Sequence, residues 1–103
     1  MTLESLKTLL LTVDAKITRY KHLGSGNYTV WREYGTKPLG ADNSHGEVIH
    51  RVQIDRFTKN ENDTIAESMT EKLNERDDIA FQYLVDYELD TGYIHHIWDC
   101  EVV

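Results

Sequence analysis

The stretch DTGYIHHIWDCEVV, residues 90–103, brings together adjacent histidines, a tryptophan, two aspartates, a glutamate and the only cysteine of the chain. These are the residue types from which metal centres and activated nucleophiles are built. The alternation of the stretch tests that chemistry. On a β-strand successive side chains point to opposite faces, so Ile94, His96, Trp98, Cys100 and Val102 share one side and His95, Ile97, Asp99 and Glu101 the other. His95 and His96 therefore cannot hold one metal from a regular strand, and neither stands at a ligand spacing such as HExxH or CxxC. Cys100 falls on the apolar face beside Trp98, where a thiol packs as a small hydrophobe and its pKa rises, the wrong direction for a nucleophile. His96 reads as a core-edge histidine with one nitrogen hydrogen-bonded. His95 with Asp99 reads as an outward polar surface, so His95→Ala is expected to cost under about 0.5 kcal/mol, against about 3 to 5 for Trp98→Ala.

Other templates for chemistry are missing from the chain. No GxxxxGK[ST], GxSxG or dinucleotide fingerprint occurs, and GSGN at 24–27 is a turn by context. His22, His45 and His50 are scattered over a turn, a loop and another strand. Asp86, Glu88 and Asp90 alternate with Tyr83, Val85, Tyr87 and Leu89, an amphipathic strand pattern with its acids in solvent. The expectation is a protein that is not an enzyme and takes no cofactor and no metal.

The elements that position these residues follow from periodicity. Leu3, Leu6, Leu10 and Val13 lie on one helical face, giving a helix over 2–13 with Thr2 as N-cap. Lys16 to His22 and Tyr28 to Tyr34 read as the strands of a β-hairpin. Residues 35–46, GTKPLGADNSHG, read as a loop of about a dozen residues. Val48 to Phe57 alternates, with Val52 and Ile54 facing one way and Arg51, Gln53 and Asp55 the other. Ile65, Ala66, Met69 and Leu73 mark a second helix over about 63–75, with Thr64 and Glu67 as a capping box. Phe81 to Leu89 and Tyr93 to Val102 close the chain as strands joined by Asp90, Thr91 and Gly92. The predicted fold is a single α+β domain spanning residues 1–103, in the order α-β-β-β-α-β-β. Its sheet is antiparallel or mixed, with both helices packed on one face.

A chain of 103 residues supports one core. Its lone cysteine allows no internal disulfide. Apolar runs such as Leu9 to Leu11 are too short to cross a bilayer, and the N-terminal stretch lacks a basic leader, so the chain reads as cytoplasmic and unprocessed, with no membrane partner. Eighteen acidic against 11 basic side chains give a net charge of -7. That balance argues against an extended phosphate-binding surface and against sequence-specific nucleic-acid binding. The nearest basic cluster is Lys16, Arg19, Lys21 and His22, which a strand would divide between its faces.

The order of pieces carries a resemblance. VIHRVQIDRFTKNENDTIAESMTEKLNERD followed by YELDTGYIHHIWDCEV resembles the small tail-terminator proteins, also called minor tail or head-tail joining proteins, of long-tailed phages and prophages. The resemblance covers nearly the whole chain and is strongest at Val52, Gln53, Ile54, Asp55, Phe57, Tyr87, Glu88, Thr91, Gly92, Tyr93 and His95. It implies a non-enzymatic structural protein of the virion tail whose copies close into a homo-oligomeric ring, typically a hexamer. Such a ring caps the tail tube and joins it to the head connector. The implied partners are other copies of the chain, the tail tube protein and the head connector protein. The implied location is the host cytoplasm during assembly and then the virion tail. Closure by rotation needs two different complementary patches on each subunit, and the residues expected to form them are Lys37, Pro38, Leu39, Asn43, Arg51, Gln53, Asp55 and His95. The competing readings are an adaptor or stopper of the same connector and an acidic inhibitor or immunity-type module that neutralises a basic partner.

Overall fold

The structure, a computed structural model, describes residues 1–22, 24–40 and 47–103. Helix α1 spans Leu3–Val13, and its N-cap Thr2 accepts a hydrogen bond from the Ser5 amide at 3.0 Å. Helix α2 spans Thr64–Asn74. Its cap is Asp63, whose carboxylate accepts from the Ala66 amide at 3.0 Å, so the expected Thr64–Glu67 capping box is not what forms. A carboxylate at the N-cap both accepts the amide hydrogen bond and meets the positive end of the helix dipole, and a second partner holds Asp63 in that place, as shown below.

Five strands form one mixed sheet in the order β1-β2-β3-β5-β4. They are β1 (Thr18–Arg19), β2 (Tyr28–Pro38), β3 (Val48–Thr58), β4 (Ile79–Tyr87) and β5 (Ile94–Val102). The element order and the α+β class are as the sequence predicts, but the first hairpin is not. β1 is two residues long and runs parallel to β2. Tyr20 leaves it with φ of 72°, a left-handed conformation that stops a strand, and Gly24 and Gly26 at φ of 110° and 90° bring the chain round to the start of β2. The expected loop is also shorter. Gly35 to Pro38 continue β2 and pair with Val48 to Arg51, past a bulge between Glu33 and Gly35 that makes Tyr34 the extra residue. Residues 41–46 of that loop lie outside the described residues.

Alternation sends one row of each strand toward the helices. Trp31, Val52, Ile54, Trp98, Cys100 and Val102 meet Leu6, Leu10, Ala66, Met69 and Leu73 in a single core. Trp98 is fully enclosed and donates its indole N–H to Thr70 Oγ1 at 3.0 Å. Burial pushes the Cys100 thiol up to about 12, with Asp99 adding to it. His96 is buried and joined to Tyr83 through Nδ1 at 2.6 Å, and burial holds its pKa below the usual histidine value despite the pull of Asp63.

The same inward row carries a charge into the core. Arg56 on β3 is 5% exposed and grips Asp63 with two bonds, Nε to Oδ2 at 2.9 Å and Nη2 to Oδ1 at 3.2 Å. Its Nη1 reaches Thr29 Oγ1 at 3.4 Å and lies 3.8 Å from Asp14, the C-cap of α1. One guanidinium thus ties the end of α1 and the start of α2 to the middle of the sheet.

β4 departs from expectation. Tyr83, Val85 and Tyr87 point to the helix side, yet they are 41%, 53% and 56% exposed, and Leu89 is 89% exposed. Two helices of 11 residues are each about 16 Å long, too short to cover the far end of an edge strand.

Trp98→Ala should lower unfolding free energy by about 3 to 5 kcal/mol in denaturant titrations. Arg56→Met should cost about as much, because it strands Asp63 as a buried charge. Acid dependence tests the same pair. Burial alone would raise the Asp63 pKa, but the Arg56 hydrogen bond, the Ala66 amide and the Arg56 charge outweigh it, and the net shift is downward. A depressed folded pKa gives stability that is present above the unfolded carboxyl value and is lost as pH falls through the folded one. Asp63→Asn should therefore flatten the acid limb of a stability–pH profile while leaving the helix capped.

Candidate functional site

The helices leave the second face of the sheet bare. The rows that point there are Tyr28, Val30, Arg32 and Tyr34 from β2, Ile49, Arg51, Gln53, Asp55 and Phe57 from β3, and His95, Ile97, Asp99 and Glu101 from β5. β4 adds Ala80, Gln82, Leu84 and Asp86. Hydrogen bonds cross these strands, two as separate pairs and the rest as one connected line. Lys37 donates to Glu101 at 2.8 Å, Tyr34 to Asp99 at 2.5 Å, and Arg32 to Gln53 at 3.4 Å. Gln53 Nε2 donates to both oxygens of Asp55 at 3.0 and 3.1 Å, and Asp55 is bonded to His95 Nε2 at 2.7 Å. The guanidinium groups of Arg51 and Arg32 lie 5.1 and 5.4 Å from the Tyr34 ring centre. The hydrogen bond that Tyr34 donates to Asp99, then burial, raise the Tyr34 pKa, with Arg51 opposing. Together they make a pre-ordered polar surface, because each long side chain already has its rotamer fixed by a neighbour.

At one end of the face the polar chain meets a column of rings. His95 stacks on Phe57 at 4.1 Å, Phe57 on Tyr28 at 4.7 Å and Tyr28 on His22 at 3.8 Å. Tyr93 sets its edge against Tyr28 and Phe57 and donates to the Gly26 carbonyl at 2.9 Å, while Lys59 lies over its ring at 5.1 Å. Burial, then the nearby Glu88, raises the Tyr28 pKa. The stack pins the segment before β2 onto the last hairpin.

Of the residues expected at an interface, Arg51, Gln53, Asp55 and His95 stand together on this face, and Lys37 joins them through Glu101. Pro38 and Leu39 lie at the far end of β2, exposed. Asn43 lies outside the described residues. Two details differ from the sequence reading. His95, expected as an outward polar residue beside Asp99, pairs with Asp55 across the sheet, and Asp55 is buried, at 8% exposure. The histidines are also less scattered than the sequence suggests, since His22 and His95 end one stack and His50 is bonded to Glu33. Register created these contacts, and a strand pattern without register cannot show them.

The chemistry available to this site is limited by its geometry. Both nitrogens of His95 face carboxylates, Asp55 at 2.7 Å and Glu88 at 3.8 Å, so the imidazole is not aimed at a hydroxyl or thiol. Cys100 lies on the opposite face of the sheet in the core. Among the described residues no group of three or more His, Cys, Asp and Glu side chains is placed to hold a metal ion. A shallow cavity of about 320 Å³ opens between Tyr34, Arg51, Gln82 and Asp99.

With a carboxylate partner and a ring stacked on it, His95 contributes more than an outward surface residue. His95→Ala should cost about 1 to 2 kcal/mol, and a double-mutant cycle with Asp55→Ala should return a coupling of about 0.5 kcal/mol or more. Denaturant melts of the four proteins measure both.

No protein-family model matches this chain, and no curated protein sequence matches it.

Proposed function

We propose that this chain is a non-catalytic assembly subunit, a ring-forming tail terminator that caps the tail tube of a phage or prophage and meets the head connector. The observation that carries the reading is the bare sheet face, on which hydrogen bonds join Gln53, Asp55 and His95, with Arg51 beside them over the Tyr34 ring, all presented away from both helices. A sheet backed by helices on one side only presents its second face for contact. Its side chains are already ordered, so docking against it loses little rotamer freedom. The segments that resemble the terminator family, residues 48–77 and 87–102, supply β3, α2 and β5, and so include the two central strands of that face. The net charge of -7 suits a passage through which DNA must slide, since a cationic lumen would hold phosphate.

A ring that closed early would cap nothing. The protein should therefore sediment as a monomer when dilute and as a larger closed species only at high concentration or in the presence of tail tubes. Deleting the gene from its prophage and imaging the induced lysate by electron microscopy tests the role. Overlong or head-free tails beside filled heads support it, whereas normal virions overturn it. A lysate without any tail structure would assign the protein to an earlier assembly step.

A further inference from the structure

We infer that the cavity beside the return from β1 to β2 is a binding site for a small oxyanion of the phosphate class, held by Thr18, His22, Ser25 and Asn27 with Lys16 and Arg56. The inference does not depend on the assembly reading above.

The cavity follows from the parallel pairing of β1 with β2. An antiparallel pair closes with a tight turn, whereas a parallel pair needs a connection that runs back to the end where the first strand began. Tyr20, Gly24 and Gly26, all at positive φ, turn the chain through that return. A cavity of about 360 Å³ lies beside it, lined by Lys16 and Thr18 from the segment after α1, by His22, Ser25 and Asn27 from the return, and by Arg56 from β3. Two features that stand apart in the sequence therefore meet here. Lys16 and His22 belong to the basic cluster, and Ser25 and Asn27 to the GSGN turn.

Among the described residues three buried side-chain polar atoms have no hydrogen-bond partner: Thr18 Oγ1, His22 Nε2 and His96 Nε2. The first two belong to residues that line this one cavity. A buried polar group without a partner destabilises a fold, and two at one place call for a shared partner. The rest of the lining says which kind. Asn27 Oδ1 accepts from the Lys59 amide at 3.1 Å, which leaves the side-chain NH₂ as the available group. Ser25 adds a hydroxyl and Lys16 an ammonium. Arg56 turns Nε and Nη2 to Asp63, while its Nη1 has a long 3.4 Å bond to Thr29 and stands 3.8 Å from Asp14, beyond hydrogen-bond distance. The Asp14 carboxylate also lines the cavity, but it already accepts from the Lys16 amide at 3.0 Å and has Arg56 beside it. These side chains offer mainly donors. A water molecule must donate as well as accept, whereas an oxyanion only accepts, and its oxygens can take hydrogen bonds from several directions at once.

Titration with inorganic phosphate tests the site. At an ionic strength held constant with chloride, calorimetry should show saturable one-to-one binding, and phosphate should raise Tm where chloride does not. Thr18→Val and His22→Phe separate binding from folding. Each removes an unpaired polar atom and keeps the shape, the phenyl ring preserving the stack on Tyr28. Without phosphate each variant should melt at or above the parent temperature, while its affinity for phosphate falls about tenfold or more. A purely structural role would not move those two readouts in opposite directions. Amide chemical-shift changes in the parent protein need no variant, and they should centre on Thr18, His22, Ser25 and Asn27. Ribose 5-phosphate that binds more tightly than inorganic phosphate identifies a monoester as the occupant, and weaker or equal binding identifies the free anion; both support the site. The absence of any phosphate-specific heat or Tm change overturns the inference. So do shifts confined to exposed lysines or an affinity unchanged in both variants, which mean an adventitious ion only. A lower Tm for both variants without phosphate shows that water already satisfies Thr18 and His22, and it overturns the inference as well.

Discussion

The interaction on which the rest of the structure depends is the fork between Arg56 and Asp63. A guanidinium buried in a 103-residue domain is costly to desolvate. Here two charge-assisted hydrogen bonds, the Thr29 hydroxyl and the Asp14 carboxylate surround it. Its partners are not arbitrary positions on the helices. Asp63 is the residue that starts α2 and Asp14 the one that ends α1, so the apolar stripes of both helices are set over the sheet in one place. Leucine and methionine contacts tolerate sliding, whereas a bidentate fork does not. The core supplies most of the stabilisation, and the fork selects the arrangement.

Because the fork holds both helices to the same side, the other side of the sheet must stabilise itself without a covering layer. It does so laterally. Gln53, Asp55 and His95 form a polar line across β3 and β5, Tyr34 reaches Asp99, and the rings of His22, Tyr28, Phe57 and His95 stack along one end. Lateral pairing of this kind satisfies buried polar groups and limits the apolar area left in water. It also leaves a surface with fixed side chains, which is what an interface uses and what a flexible loop lacks.

Much of this was legible in the residue pattern. Period-two alternation assigned both faces of β5 and the inward row of β3, and 3.6-residue periodicity placed both helices within a residue or two of their observed ends. The same alternation puts Arg56 and Thr58 inward with Val52 and Ile54, and that was the available signal for the buried fork. What alternation cannot express is the extent of the covering layer: Val85 and Tyr87 point to the helix side and are still more than half exposed. Nor can it express register. The Asp55–His95 bond depends on β3 and β5 pairing Phe57 with His95, and the parallel β1 depends on the left-handed turn at Tyr20. A two-residue strand leaves no periodicity to find.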